Sequence, residues 1–122
     1  MKVGEYNLPI KVNVLGTEYK IFYRTSETDL KLENNDGYCE IYKKEIVIDR
    51  KLFEPSDDPK LLDRLDIQGL KVIRHEIIHA FISESGLWEN SEWARNEEMT
   101  DWIAKQFPKM YKVFSELNIA DK

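Results

Sequence analysis

The chain has 122 residues, 42% of them apolar and 34% charged, with a net charge of −5 and a pI near 5.1. That size suits one domain with a single modest core, taken here as residues 1–122. The acidic balance argues against direct nucleic-acid binding, which draws on clustered positive charge. No run approaches the ~18 apolar residues needed to cross a bilayer.

The opening stretch, Met1–Asn7, lacks the pattern of a secretory signal, and the single cysteine, Cys39, excludes an intrachain disulfide. Both features point to a reducing, cytoplasmic setting. In Ile10–Leu15, Ile10, Val12 and Val14 alternate with polar residues, the period of a half-buried strand. Gly16-Thr17 offers a turn, after which Tyr19, Ile21 and Tyr23 share one face of a second strand. Thr25–Gly37 is polar and acidic and ends in Asn34-Asn35-Asp36-Gly37, which reads as a mobile loop. Tyr38–Tyr42 and Glu45–Asp49 form a hairpin about Lys43-Lys44, with Cys39, Ile41, Ile46 and Ile48 turned inward. Cys39 there is buried filler rather than a nucleophile.

Phe53–Pro59 is a connector, and Asp58-Pro59 looks like an N-cap followed by proline at the first helical position. Leu61, Leu62 and Leu65 begin an apolar stripe that is interrupted around Asp66–Gly69. The next helix stops at Gly86, a C-terminal cap. Leu87–Ser91 links it to another helix, which begins between Ser91 and Asn96 and ends before Pro108. A last short amphipathic segment carries Met110, Val113, Phe114 and Leu117.

The stretch that carries chemistry is His75-Glu76-Ile77-Ile78-His79, an H-E-x-x-H pattern holding the only two histidines of the chain. Residues four apart share one helical face, so both imidazoles can reach one ion. Neutral imidazole suits Zn²⁺, and Glu76 beside it can act as general base. On a wheel at about 100° per residue this helix is apolar nearly all round, and only Lys71, Arg74 and Ser85 form a strip for water. Such a helix is a buried one, and buried imidazoles need partners for their nitrogens.

Two histidines leave a catalytic zinc one protein ligand short, and His₂Glu plus water is a common solution. Asn96-Glu97-Glu98-Met99-Thr100-Asp101 supplies the candidates. Met99, Thr100, Ile103, Ala104 and Phe107 fall on one arc that should pack inward, with Glu97 and Asp101 at its rim. Glu98 lies further round beside Lys105, as a surface acid would. Glu97 is the expected third ligand, Glu98 the alternative, and Asp101 the acceptor for the second ring proton of a ligand histidine.

H-E-I-I-H followed by N-E-x-x-T-D resembles the gluzincin arrangement, known from thermolysin as H-E-x-x-H and N-E-x-x-S-D. The small size, the strands ahead of the motif and H-E-I-I-H-A-F resemble the short ImmA/IrrE-like metallopeptidases of phages and mobile elements. The similarity covers roughly residues 38–107. It implies an α+β fold: a minimal zincin-like domain, with a small twisted, mainly antiparallel sheet packed on the H-E-x-x-H helix and on a following Glu-bearing helix. It also implies a zinc-dependent metalloendopeptidase that cuts a protein or peptide substrate, such as a regulatory repressor. Two departures from the family pattern stand out: no helix-turn-helix or sensory domain, such as some members carry, is expected within these residues, and Thr100-Asp101-Trp102 stands where many members have an Asn-rich helix.

For the oxyanion formed during hydrolysis, Tyr42, Arg95 and Tyr111 are the candidates. Glu45–Asp49, as an edge strand, is a candidate for holding an extended substrate. The competing reading is a zincin-like metal-binding module that acts by docking, with Trp88 and Trp93 marking its surface. A hydrolase of small molecules is the third reading. A free strand edge along the site favours the peptidase, and a closed pocket the small-molecule enzyme.

Overall fold

A computed structural model of the chain describes residues 1–54 and 65–121. The expected helix start at Asp58-Pro59 and the apolar residues Leu61 and Leu62 lie outside the described residues. The described part is an α+β arrangement of two small sheets and three α-helices. Strands β1 (Lys2–Val3) and β2 (Tyr6–Asn7) form a short antiparallel ribbon. Strands β3 (Lys11–Val14), β4 (Thr17–Arg24), β5 (Gly37–Glu40) and β6 (Glu45–Asp49) form one sheet in the order β3-β4-β6-β5. Among its neighbours only β4 and β6 run parallel.

Both expected hairpins form. In the first, Val14 pairs with Thr17; in the second, Glu40 pairs with Glu45. Tyr19, Ile21 and Tyr23 share the buried face of β4, and Ile46 and Ile48 that of β6. The parallel pairing follows from Thr25–Asp36, which carries the chain past the end of β6 and leaves β5 on the far edge. That stretch is not featureless, as its composition suggested. A 3₁₀ turn spans Leu30–Glu33, Asp29 caps it, and Leu32 is buried. The strand placed at the edge by the sequence reading, Glu45–Asp49, is therefore interior, with a partner on each side. Its central Val47 is buried as well as Ile46 and Ile48, as expected of a strand covered on both faces.

After a 3₁₀ turn over Arg50–Phe53 and the undescribed stretch, α1 runs from Leu65 to Glu84 without a break. Gly69 does not interrupt it. A Cβ there would stand 2.5 Å from the Phe53 ring, so glycine lets the helix settle on that aromatic. Val72, Ile73 and Ala80 join the sheet residues in one core. The helix ends where Gly86 adopts φ 79, a left-handed conformation that favours glycine. A one-turn helix α2 (Leu87–Asn90) and a 3₁₀ turn (Trp93–Arg95) lead to α3, which spans Glu97–Glu116. Asn96 caps α3 by accepting from the Met99 amide at 2.9 Å.

α3 passes through Pro108, where the sequence reading ended it. Proline lacks the N–H that would bond the carbonyl of residue 104, and that loss usually breaks a helix. Here Arg74 Nε on α1 donates to the Ala104 carbonyl at 2.7 Å and replaces the missing donor. The strip of Lys71 and Arg74 thus turns to α3 rather than to water. Ala104 is fully buried, so removing the guanidinium strands its carbonyl. Arg74→Met should destabilise the chain by about 1–3 kcal/mol. In a Pro108→Ala background, where an amide again serves that carbonyl, the same change should cost clearly less. Urea unfolding of the four proteins measures the coupling, and equal costs in both backgrounds would refute the compensation. Among the described residues, no helix is long and apolar enough to cross a membrane.

Candidate metal centre

Helix α1 places His75 and His79 one turn apart on the side facing α3, and their Nε2 atoms approach to 3.1 Å. The first residue of α3, Glu97, reaches both rings. Its Oε2 lies 2.9 Å from His75 Nε2 and its Oε1 2.9 Å from His79 Nε2. One turn further on, Asp101 Oδ1 lies 3.2 Å from His75 Nδ1 and 2.9 Å from Lys71 Nζ. The structure thus brings Glu97 and Asp101 to the histidines. Glu98, on the exposed side of α3, is not among the residues lining the cleft at this site.

The chemistry of this set can be read from its protons. The Lys71 ammonium, as hydrogen-bond donor, holds the Asp101 carboxyl below the usual carboxylate range. Asp101 is placed to accept the Nδ1–H of His75, the tautomer that leaves a lone pair on Nε2 for a metal. Burial lowers the proton affinity of His79, while the Glu97 carboxylate opposes this. Two imidazole nitrogens and a carboxylate converging at about 3 Å suit a shared cation. Ligands about 2.0–2.1 Å from a tetrahedral Zn²⁺ stand about 3.3 Å apart, close to the separations seen. The donor set fits zinc.

Glu76 is only 6% exposed, and its carboxylate lies within 4.8 Å of the imidazole ligand atoms. Burial, with the Glu97 carboxylate adding to it, pushes its carboxyl up to about 8. A dication between the histidines would act in the opposite direction. A buried carboxylate poised beside ligand atoms suits proton transfer.

These groups line a cleft of about 660 Å³ between β5, α1 and the start of α3. Trp88 closes one side, its ring edge-on to His79 with centroids 6.5 Å apart. Cys39 also lines the cleft, and burial pushes its thiol up to about 12, so it stays protonated. The oxyanion candidates do not reach the cleft lining. Tyr42 is 94% exposed, Tyr111 stacks on Phe107, and Arg95 Nε donates to the Trp88 carbonyl. Trp93 also lies away from the lining. Besides the histidines and carboxylates already described, the polar groups that line it include Asn35, Asp36, Tyr38, Gln68 and Lys71. Lys71 and Gln68 had a signal in the sequence, since they sit four and seven residues before His75 on the same helical face. Asn35 and Asp36 come from the crossover and Tyr38 from β5, where no local pattern reveals what faces the site.

The Asp101 contact predicts a graded effect on metal binding. Asp101→Asn should weaken zinc about 10–100-fold, as loss of a ligand-orienting partner does. Lys71→Met, which only frees Asp101, should weaken it less. Competition with a coloured chelator measures both, and unchanged affinity in Asp101→Asn would rule out the orienting role.

Comparison with protein-family models, with curated protein sequences and with solved structures returned no match.

Proposed function

We propose that this chain is a zinc-dependent hydrolase, with the metal held by His75, His79 and Glu97. More narrowly, it acts as a small gluzincin-type endopeptidase on a protein substrate, in line with its resemblance to the ImmA/IrrE-like enzymes. The supporting observation is the Glu97 carboxylate spanning both Nε2 atoms with the buried Glu76 beside them. A site with a purely structural ion has no need of that second carboxylate.

Zn²⁺, when bound there, supplies a Lewis acid that lowers the pKa of water towards 7 and polarises a carbonyl. Glu76 takes a proton from the attacking water, the water oxygen bonds to the peptide carbonyl carbon, and the C–N bond breaks as Glu76 passes that proton to the leaving amine. Asp101 keeps the His75 ring oriented, and Trp88 shields one side of the cleft from water.

The edge-strand role moves from Glu45–Asp49 to β5. Among the described residues β5 pairs with β6 alone, and its residues Gly37–Cys39 line the cleft. An extended peptide added to this edge would lie along the metal-binding face. This free edge favours a peptide over a small molecule. The test is a proteome-wide search for new protein termini in cells that express the chain or its Glu76→Gln variant. Termini that appear with the wild type alone support the peptidase, and identical sets from both would refute it.

A further inference from the structure

We infer that the C-terminal half of α3 pairs with the same segment of a second copy of this chain. This rests on nothing in the metal-site reading. Past Ala104 the described residues no longer cover α3, and every residue from Phe107 to Glu116 is exposed. The helix is nevertheless specified to its end. Asn118 takes the left-handed conformation at φ 60, and the Ile119 amide closes onto the Phe114 carbonyl at 2.9 Å.

Ile103, Phe107, Met110, Phe114 and Leu117 follow one another at spacings of four, three, four and three, the a/d repeat of a coiled-coil seam. Tyr111 and Val113 widen this stripe, and from Phe107 onward its members are 39–62% exposed. Pro108 falls outside the seam. A bare apolar helix face of this kind is stable in water only when something covers it.

Area and charge favour a second copy as the cover. A half-exposed aromatic offers about 100 Å², so the stripe, with Trp102 and Ile119 at its margins, presents on the order of 700–800 Å². That approaches the ~800 Å² per partner of a standard interface. The seam and its flanks, Ala104, Gln106, Tyr111, Val113 and Asn118, carry no charge that would repel an identical helix.

Sedimentation equilibrium of the full chain should show a dimer, with Kd on the order of micromolar. The double variant Met110→Glu/Phe114→Glu should sediment as a monomer with unchanged helicity, while Lys112→Gln, on the opposite face, should leave the dimer intact. Should the double variant misfold, Leu117→Asn at the most exposed seam position should weaken the dimer at least tenfold. A wild-type chain that stays monomeric at about 100 µM overturns the inference, even if the face then binds a different protein. A dimer that survives the seam substitutions overturns it as well.

Discussion

Glu76→Gln should abolish cleavage while leaving the metal centre intact. Glutamine keeps the size and reach of the side chain but cannot take a proton from water. The loss of a positioned base costs roughly 10²-fold or more in rate. Zinc should remain at one ion per chain, because the convergent donors come from His75, His79 and Glu97. The fold should also survive, since the replacement fills the same buried space. Elemental analysis, thermal melting and single-turnover cleavage of the identified target check the three parts. Cleavage at the wild-type rate would remove Glu76 from the mechanism, and full biological effect without cleavage would favour the docking module.

The largest effect on metal affinity should come from Glu97→Gln. Its two oxygens stand 2.9 Å from the two imidazole nitrogens, so the change removes charge and ligand from the centre itself. Affinity for zinc should fall by more than the ~10–100-fold expected for Asp101→Asn. Glu98→Gln alters one exposed charge and should change affinity by no more than about fivefold. Chelator competition with all three variants gives the ranking, and a greater loss from Glu98 than from Glu97 would exclude Glu97 as the ligand. The metal-free wild type should stay folded, unlike a zinc finger. The core of Tyr19, Ile21, Ile46, Ile48, Val72 and Ile73 contains no residue of the metal set.

Local pattern carried much of the fold. The period of two in Val12–Val14 and Tyr19–Tyr23 marked strands that form, and the hairpin about Lys43-Lys44 needed no distant contact to be recognised. The helix end marked by local backbone chemistry at Gly86 was equally readable, whereas α3 begins at Glu97, just past the expected window of Ser91–Asn96. Pro108 shows where such reasoning fails. Its missing donor is supplied by Arg74, thirty residues before Ala104, and no window around the proline contains that guanidinium. The same limit applied to α1, whose polar strip looked solvent-facing until α3 lay against it.

The sequence by itself determined the pair of histidines on one helical face, the carboxylate between them in the chain and the short list of acids for a third ligand. Those follow from helical spacing, a property of the backbone that holds wherever the helix is packed. Only the tertiary structure decided that Glu97 meets both rings while Glu98 points away, because that depends on how α3 is rotated against α1. It also decided that β5, rather than β6, borders the cleft. Strand order is set by the path of the crossover between β4 and β5, and the pairing of distant segments leaves no periodic trace in the residues themselves.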